Sequence, residues 1–139
     1  MSERIIGQTA SSGFQVGVRR TFVLPVQEAW ALIASPEGME IWLGGIDQEL
    51  DLHPGSKYRT DEGITGEVRV VNELVNLRLT WKKEAWSHPS ILQIRTISKG
   101  ENTTISFHQE KLPGMEAREE MKHRWEDVLV RLGAVIHGR

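Results

Sequence analysis

Thr103-Thr104-Ile105-Ser106-Phe107-His108, then, after four intervening residues, Pro113-Gly114 and Met115 to about Ile136, is where the chain changes period. Ile105 and Phe107 alternate with Thr104, Ser106 and His108, the mark of a strand with one packed and one wet face. Pro113-Gly114 breaks that pattern. Beyond it Met121, Trp125, Val128, Leu129, Leu132, Val135 and Ile136 recur at threes and fours, forming one apolar stripe of a long helix. The opposite face is charged with both signs, with Glu120–Arg124 and Asp127–Arg131 as acid-first i,i+4 pairs. Gly138 ends the helix.

Upstream, from Ile46 onward, short runs rich in Val, Ile, Leu, Thr and Trp lie between turn sequences. The turns are His53-Pro54-Gly55, Asp61-Glu62-Gly63, Glu73 to Asn76, Ser87-His88-Pro89 and Lys99-Gly100-Glu101-Asn102. Leu77, Leu79 and Trp81 alternate with Arg78, Thr80 and Lys82. Asp47, Glu49 and Asp51 also alternate and read as the solvated face of a strand. Earlier still, Phe14 to Leu24 places Val16, Val18, Phe22 and Leu24 on one side, with Arg20 interrupting it. Pro25 closes that strand. Val26 to Ala34 is a short amphipathic helix, and Ser35-Pro36-Glu37 opens a second that runs to Trp42-Leu43. The order is one strand, two short helices, about six strands and one long helix. The reading is α+β: a curled antiparallel sheet of about six to seven strands around the C-terminal helix. A sheet wrapped on one helix rarely fills perfectly, and the gap between them is a natural pocket.

The 139 residues read as one domain, 13–139, after a flexible N-terminal arm, 1–12. Seventeen basic against nineteen acidic residues leave a net charge of −2, which argues against nucleic-acid or membrane binding by bulk charge. With no cysteine, thiolate nucleophiles, disulfides and Cys-based metal sites are excluded. The start Met1-Ser2-Glu3-Arg4-Ile5-Ile6 has too short an apolar run for export, and no run suffices for a membrane helix, so a cytoplasmic protein without membrane insertion is expected.

Several stretches together resemble the START/SRPBCC (helix-grip, birch-pollen-allergen-like) superfamily. Within it they resemble the branch named after the activator of a heat-shock chaperone's ATPase. The matching pieces are Val18-Arg19-Arg20-Thr21-Phe22 leading to Pro25 and Trp30, Ile41-Trp42-Leu43-Gly44, Pro54-Gly55-Ser56-Lys57-Tyr58-Arg59 and Gly66-Glu67-Val68. Leu77-Arg78-Leu79-Thr80-Trp81-Lys82, Thr103 to His108, and Trp125 before Leu129 and Leu132 complete the set, which spans nearly the whole chain. Arg124 departs from the pattern, which has glycine before the helix tryptophan. The resemblance implies a helix-grip domain, and for this branch a chaperone as partner.

Five of the nine aromatic residues are tryptophan, a residue that joins a large apolar area to one N–H donor. Trp42, Tyr58, Trp81, Arg95, Phe107, Met121, Trp125 and Leu129 are the candidates to line a ligand cavity. Each has a plainer reading as core packing, and Trp86 stands by a turn at a mouth or edge. Arg20 and Arg95 are inward candidates for binding an anionic group, with pairing to a buried carboxylate or an outward turn through strand twist as the plainer readings. No His pair has the helical spacing of a zinc motif. His108, Glu110 and His123 are the one combination that a sheet–helix junction might bring together, and no metal or other cofactor is assigned. There is no Gly-x-Ser-x-Gly elbow, no Walker sequence and no Gly-x-Gly-x-x-Gly, and Gly63-Ile64-Thr65-Gly66 reads as a hairpin turn. No catalytic residue is assigned.

The first functional expectation is a domain that holds a small hydrophobic molecule between sheet and helix without catalysis. The alternatives are a chaperone-interacting stress-response module, which the resemblance implies, and a polyketide cyclase-like enzyme.

Overall fold

Gln109 and Leu112 oppose Val16 and Phe14, so one strand spends an extra residue where its partner spends none. The surplus residue is Lys111, held at φ 63°, in the left-handed region that side chains avoid. The same happens where Val68 and Val71 oppose Leu79 and Leu77. Each bulge lets two residues three apart face the interior, and each bends and twists its strand. These two bends curl the sheet.

The computed structural model describes residues 8–9, 13–46 and 49–138. Its strands are β1 (Gln8–Thr9), β2 (Gly13–Phe22), β3 (Lys57–Arg59), β4 (Thr65–Asn72), β5 (Asn76–Trp81), β6 (Ser90–Lys99) and β7 (Asn102–Leu112). The helices are α1 (Val26–Ala34), α2 (Pro36–Trp42) and α3 (Met115–His137). The strands form one antiparallel sheet in the order β1-β2-β7-β6-β5-β4-β3. Gln8 and Thr9 pair with Phe14 and Gly13; the rest of the expected N-terminal arm lies outside the described residues.

Five strands follow the two short helices rather than about six. Ile46 makes a single bridge to Thr60, and 49–56 forms no strand. Pro54 has no N–H for a ladder and Gly55 turns at φ 98°, which is why the alternating acids there do not extend into one. Asp47 lies outside the described residues. Among them, no helix is long and apolar enough to cross a membrane.

The expected helices sit where their periodicity puts them. Ser35 caps α2, its hydroxyl accepting from Gly38 N–H at 3.0 Å and donating to Leu32 O at 2.7 Å. On α3 the buried stripe is Met121, Trp125, Val128, Leu129, Leu132, Gly133 and Ile136. Gly133 replaces Val135 in full burial because Phe22 packs 3.1 Å from where a Cβ would stand. The expected i,i+4 pairs on the outer face take other partners. Arg124 reaches Glu62, Glu120 reaches Lys83, and Arg131 leans toward Ile41 O. A loop edge beside the helix offers carboxylates and amines that a lone helix lacks.

Candidate functional site

Trp81 ends β5, Phe107 stands in mid-β7, and Trp125 faces both from α3. The Trp125 ring is stacked on Phe107 with centroids 5.1 Å apart and planes 10° from parallel. It meets Trp81 edge-on at 6.3 Å. Trp81 in turn touches Trp86, in the β5–β6 connection, at 5.3 Å. Trp81, Phe107 and Trp125 have no exposed surface, whereas Trp86 is half-buried. The aromatic cluster therefore begins in the core and ends at the surface.

A buried hydrogen-bond chain orients it. Trp125 Nε1–H donates to Gln109 Oε1 at 2.8 Å, Gln109 Nε2–H donates to Ser90 Oγ at 2.8 Å, and Ser90 donates to Trp81 O. Gln109 and Ser90 are fully buried, so each of these bonds satisfies a group that water cannot reach.

Charges pack on the buried rings. Arg124, one residue before Trp125, places its Cζ 5.3 Å from the Trp81 ring centroid and 5.7 Å from that of Trp125. Its two terminal nitrogens donate to both carboxylate oxygens of Glu62, on the β3–β4 hairpin, at 3.3 and 3.2 Å. These hydrogen bonds hold the Glu62 carboxyl below its ordinary range against a smaller desolvation effect, with the charges of Arg124 and Lys83 adding to them. Lys83 pairs with Glu120 of α3 beside this contact. Two buried donors in the same place have no partner: Trp81 Nε1–H and Arg124 Nε–H.

Tyr58 on β3 crosses Gly66 and donates its hydroxyl to Thr80 O at 2.5 Å. A Cβ at Gly66 would collide with both Thr80 O and the Tyr58 ring, so only glycine permits this crossing. Burial pushes the Tyr58 hydroxyl well above the ordinary phenol value, with Arg124 pulling weakly the other way.

The structure thus brings together Trp81, Phe107 and Trp125. Met121 and Leu129 stand one turn either side of Trp125 on the same buried stripe, and Tyr58 bonds to the residue before Trp81. It does not bring Arg95 to them. Arg95 is exposed, between buried Ile94 and Thr96, on the face of the sheet turned away from α3. Trp42 is fully buried and ties α2 to α1, donating its indole N–H to Ile33 O at 2.9 Å. Arg20 is exposed, its Cζ 5.6 Å from the Phe22 ring centroid. His108 and Glu110 face outward to Gln15 and Arg78, with the sheet between them and His123 on α3. A cleft of about 440 Å³ lies at the surface, lined by α2 and the segment after it, including Met39, Gly45, Ile46 and Leu50.

Sequence reasoning missed Gln109, Ser90 and Glu62. Gln109 was findable, since it continues the inward series Ile105, Phe107. Glu62 carries no such signal, because a turn acid is ordinarily solvated.

A sheet curled on a long C-terminal helix, closed at one end by two short helices, defines the helix-grip class of α+β domains. The chain belongs to the family described as "Activator of Hsp90 ATPase homolog 1-like protein", whose profile matches residues 24–137. Among solved structures it is similar to CalU16 from Micromonospora echinospora, with a TM-score of 0.76 and 21% identity over 88% of this chain and 76% of that one. It is also similar to PFC0360w, described as an HSP90 activator from Plasmodium falciparum, with a TM-score of 0.75 and 18% identity over 90% and 97% of the two chains. MLL2253 from Mesorhizobium loti follows with a TM-score of 0.73 and 20% identity over 88% and 96%. At these identities the likeness is one of fold. No curated protein matches the chain.

Proposed function

We propose that this cytoplasmic domain binds a small hydrophobic molecule between sheet and α3, in a site walled by Tyr58, Trp81, Phe107, Met121, Trp125 and Leu129. The observation that carries the reading is the aromatic cluster that runs unbroken from fully buried Trp125 to half-buried Trp86. Against its buried rings lies Arg124, paired with Glu62, with Lys83–Glu120 as a second ion pair, all with partly exposed partners. Because all four partners are partly exposed, separating these pairs is less costly than breaking a buried one. The test is native mass spectrometry of the purified protein together with tryptophan fluorescence during titration with lipids and polyketide-like aromatics. A co-purified mass or a saturable change in emission is expected. Absence of both overturns the reading.

A second reading, a chaperone-interacting module, is favoured by the family and by the likeness to an HSP90 activator. It is tested by pull-down and ATPase assay with the cognate chaperone. Stimulation supports it; neither association nor stimulation removes it.

A further inference from the structure

We infer that the molecule held at this site is planar and uncharged and presents one carbonyl-type oxygen, which docks between Trp81 Nε1–H and Arg124 Nε–H; the inference rests on the binding reading above. Among the described residues these are the two buried side-chain polar atoms without a partner. Leaving such a group unpaired costs on the order of 1–3 kcal/mol, and native structures keep few. Both are donors, so what they lack is an acceptor.

They also stand together. Nε is bonded to Cζ of Arg124, and that carbon lies 5.3 Å from the centroid of the ring that carries Nε1. Glu62 takes the two terminal nitrogens of the guanidinium and leaves its inner N–H without an acceptor. One oxygen with two lone pairs can accept from both donors.

The charge count decides what that oxygen belongs to. Arg124 and Lys83 are already matched by Glu62 and Glu120. A carboxylate added there leaves one unbalanced negative charge against buried indoles, and desolvating it is costly. A carbonyl adds no charge. The indole faces of Trp81 and Trp125 favour a flat body behind it.

Three probes of one shape separate the possibilities: 2-acetylnaphthalene, 2-ethylnaphthalene and 2-naphthoate. Affinities come from calorimetry, and the indole and guanidinium N–H resonances are followed in the ¹⁵N-labelled protein. The acetyl compound is expected to bind about tenfold more tightly than the ethyl compound, about 1.4 kcal/mol. It alone should move the Trp81 Nε1–H and Arg124 Nε–H signals downfield. Trp81→Phe, which keeps a ring and removes the donor, should erase the preference for the acetyl over the ethyl compound. If that variant fails to fold, Arg124→Met and the wild-type resonances carry the same test. Equal affinity for acetyl and ethyl probes overturns this inference but leaves the binding reading standing. Tightest binding of 2-naphthoate overturns the uncharged class. Failure of all three probes to bind overturns this inference, while the binding reading stands or falls on the co-purified mass and the lipid titration.

Discussion

Trp125 donates its indole N–H to Gln109 Oε1 at 2.8 Å while its ring lies flat on Phe107, so a single side chain is fixed both by polarity and by stacking. Removing the ring removes both. Trp125→Ala is expected to cost about 3–5 kcal/mol, as truncation of a fully buried aromatic does. Trp125→Phe keeps a stacking ring and leaves Gln109 Oε1 unpaired, for about 1–3 kcal/mol. Urea midpoints of both, beside Trp30→Ala, measure this. A Trp125→Phe variant as stable as wild type shows that the hydrogen bond contributes nothing.

Gly66→Ala tests the crossing of Tyr58 over β4. The added methyl meets backbone at Thr80 O and the Tyr58 ring at once, and neither is the free end of a flexible chain. The loss of stability should reach or exceed the ~3 kcal/mol upper end of ordinary overpacking. Denaturant titration reads it directly, and a loss below about 1 kcal/mol contradicts the described contact.

Glu62 contributes at acid pH with a definite sign. Its carboxyl is lowered from the ordinary 4.5, so the folded state holds fewer protons than the unfolded one across that window. The stabilisation is therefore complete above the unfolded value and is lost as pH falls through the folded one. Glu62→Gln should flatten the acid limb of stability as pH falls below the unfolded value of 4.5. An unchanged acid limb in the variant would show that the Arg124 contact does not hold in solution.

Tyr58 acts at the alkaline end, and as the single tyrosine it can be followed without interference. Its folded value is raised above the unfolded 10.0, so the unfolded state releases its proton first and stability falls as pH rises past that value. Phenolate absorbance near 295 nm should appear only with unfolding, and Tyr58→Phe should lose this part of the alkaline slope. Reversible phenolate formation in the folded protein at ordinary phenol pH would refute the burial of this hydroxyl.

The sequence by itself determined the three helices and the order of most of the strands. The three-and-four spacing of Ala29, Trp30 and Ile33 and of Met121, Trp125 and Leu129, the Ser35 cap and the alternation through Leu77, Leu79 and Trp81 are local signals. Each holds whatever the rest of the chain does. The curl and the closure of the site were decided only by tertiary structure. One added residue at Lys111 lets Leu112 join Gln109 in the interior, and nothing in the residue types around it marks the bulge. Arg124 reads as half of a helical pair with Glu120, yet its partner is Glu62, 62 positions away. Periodicity reports which face of an element is apolar. It carries no record of which distant charge the curled sheet will bring against that face, because that depends on the accumulated bend of every strand between them.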